Sequence, residues 1–262
     1  MTGWATHWSW PNGSASSLRG LMTERTLIVN ADDFGLSPGV NAGVARTHEH
    51  GILTSASLMV RPDAAAEAAA YARATPALGL GLHVDLGEWA RHDRTWTAVY
   101  EVVSLDGDPG AVEAEIQAQL DRFRGLTGRE PTHLDSHQHV HRWAPLVDMF
   151  RRVAAELEIP LRNDLGGVRY CGDLYGHDEH GNPIPEAVTP DALVEIIHGL
   201  GPGVTELACH PGIGADTGSA YDREREQEVE VLCDPRVAEA VRAEGVALRS
   251  YADIASAGSG AR

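Results

Sequence analysis

The chain has 262 residues, a length that suits one large domain and is common among α/β barrels. Its 43% hydrophobic and 23% charged residues are ordinary for a globular protein and argue against a disordered, collagen-like or disulfide-scaffold chain. With 21 Lys and Arg against 38 Asp and Glu, the formal net charge is −17, which disfavours nucleic acid and anionic membrane surfaces as partners. A neutral or cationic ligand is therefore expected.

The sequence gives no sign of export or of a membrane span. It contains no run of roughly 18 apolar residues, and its N-terminal segment lacks the apolar centre of a secretory signal. The three cysteines, Cys171, Cys209 and Cys233, form no CxxC pair, which argues against a disulfide framework and against a thiolate zinc site. We therefore expect a cytoplasmic protein.

Apolar runs alternate with helical patterns from residue 25 onward. We expect residues 1–24 to be a disordered extension, residues 25–256 to form a single domain and residues 257–262 to be a flexible tail. Seven strands are predicted, at 26–30, 52–60, 78–86, 132–136, 161–163, 204–209 and 246–249. Repeated βα units require a parallel sheet, so a barrel or strongly curved sheet is predicted, with a doubly wound open sheet as the alternative.

The helices and loops between these strands have their own signals. Ser37 and Pro38 predict the N-cap and first position of a helix that ends before Gly51. A long loop is predicted around Trp89 and Trp96, whose side chains are expected to pack rather than to bind sugar. A second loop, residues 164–188, is long enough to be a functional lid or insertion.

Polar side chains lie at the carboxyl ends of four predicted strands. Asp32 and Asp33 follow the first strand, His83 lies on the third, His137 follows the fourth and His210 follows the sixth. Ligands of α/β barrels and open α/β sheets bind at that edge of the sheet. A single strand-end aspartate would be weak evidence, because such residues commonly cap helices, but the repeated placement predicts a ligand site.

The neighbouring carboxylates of Asp32 and Asp33 allow two interpretations of equal weight. In one, both are turn residues that cap the helix after Ser37. In the other, one carboxylate binds a cation while its neighbour accepts a proton beside it. The residues alone do not decide between the two.

Residues 133–141 contain four histidines and one aspartate. In an extended segment positions 133, 135, 137 and 139 share one face, and in a helix positions 133, 137 and 141 do, so at least two imidazoles converge in either case. Imidazole clusters suit Zn, Fe, Ni and Cu, and catalytic sites commonly use three protein ligands. We therefore predict a metal site in which the surplus histidines support the ligands or contact substrate.

Six features then occur in a fixed order over roughly residues 25–254. They are LIVNADDFGLS at 27–37, Asn41, GILTS at 51–55, GLH at 81–83, THLDSHQHVH at 132–141 and CHPG at 209–212. Together they resemble the ordered motifs of the YdjC/ChbG-like carbohydrate deacetylases. The resemblance implies a distorted (β/α) barrel with about seven parallel strands, which uses one divalent metal ion, Zn or Mg, to remove an N-acetyl group from an amino sugar such as a chito-oligosaccharide. It also makes a homodimer reasonable.

The resemblance assigns roles position by position. Asp33, His83 and His137 match the metal ligands of the family, Asp32 its base, and His210 the histidine that assists the leaving amine. A supporting or substrate-contacting role is further expected for five other residues: Asp135, His133, His139, His141 and Arg162. The acidic turn at 84–88 and the loop at 164–188 differ from the family pattern, and both lie where the sugar would be selected.

Two other functions are compatible with the same residues. Two histidines and a carboxylate also form the ligand set of non-haem iron oxygenases, although such an enzyme does not need the acid and base groups found here. A non-catalytic protein that binds a metal or a sugar is the second alternative. It leaves Asp32 without a role.

Overall fold

The computed structural model describes residues 24–92, 95–164, 167–178, 182–214 and 216–254. The predicted N-terminal extension and C-terminal tail lie almost entirely outside these residues. In chain order, the strands are β1 (Arg25–Phe34), β2 (Ser55–Leu58), β3 (Gly79–Val84), β4 (Gly87–His92), β5 (Thr95–Glu101), β6 (Leu134–Ser136), β7 (Arg169–Cys171), β8 (Gly203–Cys209) and β9 (Ala247–Leu248). The α-helices are α1 (Pro38–His50), α2 (Ala65–Ala74), α3 (Pro109–Thr127), α4 (Val147–Glu156), α5 (Pro190–His198), α6 (Asp222–Leu232) and α7 (Pro235–Ala243).

Seven of the strands form one parallel sheet at the centre of the molecule. Its order is β6-β3-β2-β1-β8-β7, and β9 pairs with the start of β1. The sheet curls into a half-barrel with helices around it, so the predicted single α/β domain built on a curved parallel sheet of about seven strands is confirmed. Strand β1 lies in its middle and is buried from Thr26 to Phe34, as expected for a strand paired on both edges and covered on both faces.

The first helix shows how local sequence directs the chain away from the sheet. The Ser37 hydroxyl accepts a hydrogen bond from the Val40 amide at 3.1 Å, and Pro38 occupies the first helical position, where it needs no amide donor. The predicted cap is therefore confirmed. Because only three residues separate the end of β1 from the start of α1, this cap also fixes the turn that follows Asp33.

Four predictions of local structure are wrong. Residues 161–163 do not form a strand. Leu161 makes an isolated parallel bridge to Leu134, and the additional strand is β7, within the segment predicted to be a loop. The segment with Trp89 and Trp96 is not a loop but the antiparallel hairpin β4–β5, in which Trp96 is 61% exposed and does not pack. The stretch Thr95–Glu101 is rich in β-branched and aromatic residues, a composition that favours a strand and that the loop prediction overlooked.

No helix among the described residues is long and apolar enough to cross a membrane. The core between the sheet and its helices is built mainly from Leu, Val, Ile, Ala and Phe side chains, such as Leu27, Val44, Leu80 and Phe123. The carboxyl edge of the sheet, by contrast, carries buried polar residues. That edge holds the site described next.

Candidate active site

A bulge at the end of β1 directs two consecutive aspartates into one cavity. In a regular strand, Asp32 and Asp33 would point to opposite faces of the sheet. The register with β2 shifts between Ala31 and Phe34, and Asp33 has a left-handed backbone with φ of 62°. Both carboxylates consequently line the same cavity. A left-handed conformation is costly for a residue other than glycine and is typical of functional sites.

The three predicted metal ligands lie together. Oδ1 of Asp33 is 3.3 Å from Nε2 of His83 and 3.2 Å from Nδ1 of His137. Strands β6 and β1 are three positions apart in the sheet, roughly 14 Å if the sheet were flat, so its curvature brings His137 toward Asp33. The potential ligand atoms of the three residues all lie within 4.8 Å of one another.

Asp135 orients His83. The strands β3 and β6 pair with these two residues opposite each other, and Nδ1 of His83 donates to Oδ1 of Asp135 at 2.8 Å. This contact leaves Nε2 facing Oδ1 of Asp33, where it could bind a cation after losing its proton, and a carboxylate on the other ring nitrogen is typical of metal-binding histidines. Burial alone would lower the pKa of His83, but the negative charges of Asp135 and Asp32 raise it to about 10. The same negative charge favours a metal cation at this place.

A fully buried arginine holds Asp32. Arg162 donates from its two terminal nitrogens to the two oxygens of Asp32, and it also lies 2.9 Å from Asp135 and 2.6 Å from Glu206. Burial would raise the pKa of Asp32, but the Arg162 charge outweighs that effect and the pKa is lowered. Asp32 is therefore an ionised carboxylate of fixed orientation.

His210 lies on the other side of Asp32, after β8. Its Nε2 is 3.9 Å from Oδ2 of Asp32, and its Nδ1 is 3.9 Å from Oε1 of Glu228. The His210 amide donates to Glu228, which also accepts a hydrogen bond from the Tyr221 hydroxyl at 2.7 Å. Burial lowers the pKa of His210 to about 4, so the imidazole is neutral at pH 7. Burial likewise raises the pKa of Glu228, to about 7.

A cavity of about 760 Å³, within the range of small-molecule sites, is lined by Asp32, Asp33, His83, His137 and His210. Its wall includes Val99 and Tyr100 of the hairpin and Tyr175 from the 164–188 segment. The rings of Tyr175 and Tyr221 stack with centroids 4.6 Å apart, and Tyr175 is 42% exposed. The cavity thus combines the charged and imidazole groups at the sheet edge with aromatic side chains from the surrounding loops and the hairpin.

The remaining histidines of the 133–141 cluster are placed differently. His139 lines the cavity and contacts the Tyr170 hydroxyl at 3.1 Å. His133 is buried beneath the site, where it stacks on Tyr251 at 3.9 Å and contacts Ser57, while His141 contacts Ser136 and the backbone oxygen of Arg162. Only His137 and His139 of the four line the cavity in the described structure.

Sequence reasoning missed the contribution of α6. Arg225 contacts Asp33, and Glu228 contacts His210, from one face of that helix. The stretch DREREQE has the composition of a solvent-exposed helix, and nothing in a single sequence distinguishes its buried charges from its exposed ones. The 164–188 segment contains two histidines: His177 lies 3.6 Å from Glu224, and His180 lies outside the described residues.

Residues 26–243 match the family model described as YdjC-like protein. The chain belongs to this family. Its YdjC-like relatives include a carbohydrate deacetylase of Geobacillus stearothermophilus, 33% identical over 88% of this chain and 98% of the relative. A chitooligosaccharide deacetylase of Salmonella schwarzengrund (strain CVM19633) is 34% identical over 88% of this chain and the whole of the relative.

A solved structure from Enterococcus faecalis V583, of a protein whose name refers to cellobiose-phosphate cleavage, has a similar fold. It superposes with a TM-score of 0.71 at 24% identity, covering 88% of this chain and 99% of that one. This likeness concerns the fold alone. It agrees with the single α/β domain described above.

The donor atoms fit a metal ion. Two imidazole nitrogens and one carboxylate oxygen are a set that Zn²⁺ and related transition metals accept, whereas Mg²⁺ prefers oxygen ligands and water. The hydrogen bond from His83 to Asp135 and the negative charge around the site add to this fit. Asp33, His83 and His137 could thus hold a divalent cation, whereas Asp32 and Asp135, which form a second possible group with His83, are already paired with Arg162.

Proposed function

We propose that this YdjC-like protein is a metal-dependent carbohydrate deacetylase that removes an N-acetyl group from an amino sugar or chito-oligosaccharide. The observation that carries the proposal is the convergence of Asp33, His83 and His137 beside a separate, arginine-held carboxylate, Asp32, in one cavity. The names of the two relatives support the same substrate class. The donor set favours a transition metal such as Zn²⁺ over Mg²⁺.

Amide hydrolysis requires an activated water, a polarised carbonyl and a proton for the departing amine. A divalent cation held by Asp33, His83 and His137 would polarise the carbonyl and lower the pKa of water. The other tasks fall to the protein's own acid and base groups. Asp32 and His210, which line the same cavity as the three ligands, can serve.

Asp32 acts as the base in this proposal. Its Oδ1 accepts hydrogen bonds from Arg162 and Asn30, whereas Oδ2 accepts one from Arg162 alone among the described residues. A carboxylate oxygen has two lone pairs, so Oδ2 can accept a second hydrogen bond, from the water that attacks the substrate. Arg162 lowers the pKa of Asp32, so this carboxylate is a weak base. It can accept a proton from a water molecule only if the pKa of that water is also lowered.

His210 acts as the acid, although its imidazole is neutral in the free protein. It must therefore gain a proton during the reaction, and the proton that Asp32 takes from water is the available one. Oδ2 of Asp32 and Nε2 of His210 are 3.9 Å apart, and such contacts commonly shorten when substrate binds. His210 then donates the proton to the nitrogen as the C–N bond breaks.

The cavity suits an uncharged acetamido sugar. The aromatic side chains of Tyr100, Tyr170 and Tyr175 offer faces for a pyranose ring, and the volume of about 760 Å³ accommodates more than one small ring. The net charge of −17 does not oppose a neutral substrate and favours a cationic amine product. Cytoplasmic location and a homodimer stay predictions from the sequence.

The experiment that tests the function is acetate release from a panel of N-acetylated monosaccharides and chito-oligosaccharides, with metal analysis of the same sample. We expect acetate and a free amine in equal amounts, with about one metal ion per chain. Activity that depends instead on iron and a keto acid would favour the oxygenase alternative. Sugar binding without acetate release would favour the non-catalytic alternative.

A further inference from the structure

Arg225 contacts the metal-ligand candidate Asp33 and the acid candidate His210 simultaneously. One of its terminal nitrogens donates to Oδ2 of Asp33 at 2.6 Å, and the other donates to the backbone oxygen of His210 at 3.3 Å. Its side chain is only 7% exposed. A single guanidinium group thus bridges two parts of the site that come from different strands.

The bridge gives the two carboxylate oxygens of Asp33 different contacts. Oδ1 is the atom that lies 3.3 Å from His83 and 3.2 Å from His137, while Oδ2 lies 2.6 Å from Arg225. An ion pair at that distance in a buried place holds the plane of the carboxylate, because rotation would leave a charged donor without its acceptor. A cation that approached Oδ2 would also approach the positive charge of Arg225.

The position of Arg225 is itself well fixed. Its backbone oxygen accepts a hydrogen bond from the Gly212 amide at 3.1 Å, which ties α6 to the loop directly after His210. Its guanidinium carbon lies 6.0 Å from the centroid of the Tyr221 ring, which packs near His210. The arginine is therefore part of a rigid support and not a surface side chain that contacts Asp33 by chance.

We propose that Arg225 is a positioning residue that restricts Asp33 to binding the metal through one oxygen and fixes this ligand relative to His210. The inference rests on the proposed function, because it assumes that Asp33, His83 and His137 bind a metal. Arg225 itself contacts Asp33 and the backbone of His210. It acts through Asp33, whose second oxygen it keeps out of the coordination shell.

Cobalt(II) is the probe, because its visible absorption weakens as the coordination number rises. In Arg225→Met the freed Oδ2 can join the metal, so we expect one Co²⁺ per chain with weaker and shifted visible bands. Removing a partner of a metal ligand commonly costs about 10–100-fold in activity or metal affinity, and we expect kcat to fall by that factor. Arg223→Met is the matched control, since Arg223 is exposed on the same helix. Its spectrum and kcat should equal those of the wild type.

A second variant separates positioning from general structural support. In Arg225→Ala, millimolar guanidinium can enter from the cavity that Arg225 lines, and it should restore the cobalt spectrum of the wild type. If Arg225→Met does not fold, Arg225→Gln is measured with the same expectation. A folded Met or Gln variant with the wild-type spectrum would overturn the inference. A wild-type protein that binds no Co²⁺, Zn²⁺ or other divalent cation would instead overturn the proposed metal centre.

Discussion

Arg162 and Asp32, 130 positions apart in the chain, form a two-pronged ion pair with both N–O distances at 2.6 Å. Arg162 is fully buried and also contacts Asp135 and Glu206. Since one guanidinium balances three carboxylates, its loss would leave several buried negative charges without a partner. The pair therefore links the stability of the sheet's carboxyl edge to the orientation of Asp32.

Arg162→Met is expected to destabilise the protein strongly. Removing one partner of a buried ion pair costs roughly 3–5 kcal/mol, because the remaining charges are desolvated and uncompensated. Urea unfolding of the metal-free protein measures the change. Arg151→Met is the control, since Arg151 is exposed and pairs with Asp148 and Asp164 at the surface, where a pair contributes about 0–1 kcal/mol. Equal losses in the two variants would contradict the buried cluster's role.

Gly43 allows α1 to approach the loop that carries His210. A Cβ atom at Gly43 would lie 2.6 Å from backbone atoms of Gly212, so Gly43→Ala forces the loop outward. Overpacking of this kind costs about 1–3 kcal/mol, and acetate release should fall as His210 shifts. Gly125→Ala is the matched helix control, because nothing lies within 4 Å of its added Cβ. It should leave activity unchanged and stabilise by up to about 1 kcal/mol. Thermal unfolding and turnover of both variants check the prediction.

Buried neutral histidines should make the metal-free protein sensitive to acid. Burial lowers the pKa of His141 from 6.5 to about 3. Below pH 6.5 the unfolded chain therefore binds a proton that the folded chain does not, and stability falls as the pH decreases toward 3. Between about pH 7.5 and about pH 5 this single group should remove about 2 kcal/mol from the free energy of unfolding.

His141→Gln isolates that contribution, because it keeps a polar side chain and removes the titration. Its loss of stability relative to the wild type should be about 2 kcal/mol smaller at about pH 5 than at about pH 7.5. Denaturant titrations in a chelator at the two pH values give the comparison. A pH-independent effect of His141→Gln would show that the imidazole is protonated in the folded state or reached by water.

The sequence predicts those strands, helix starts and site residues that are marked by a pattern of neighbouring residues. A continuous apolar run indicates a buried parallel strand in β1, and Ser37 with Pro38 indicates the start of α1. The site residues that follow strand ends are predictable for the same reason, since parallel strands present their carboxyl ends at one edge. Asp33, His83 and His137 accordingly lie together as expected, and their role as ligands stays a prediction.

Strands and ion pairs that form between residues far apart in the chain could not be predicted. The strand β7 forms because it pairs with β8, and no apolar run marks Arg169–Cys171. The partner of Asp32 lies 130 positions away, and the partner of Asp33 lies on a helix whose composition indicates solvent exposure. Pairings of this kind are decided by the curvature of the sheet and the packing of α6, which a single sequence does not encode locally.

The most direct test of the account compares metal content and turnover in Asp32→Asn and Asp33→Asn. Both changes preserve side-chain size, and circular dichroism confirms that each variant is folded before the comparison is made. Asp33→Asn should lose metal and acetate release together, because one of three protein donors is weakened. Asp32→Asn should keep about one metal ion per chain. Its turnover should fall by roughly 10²–10⁴-fold, the usual contribution of a general base. If Asp32→Asn loses the metal while Asp33→Asn retains it, the two roles are exchanged, and if neither variant loses turnover, the deacetylase mechanism is wrong.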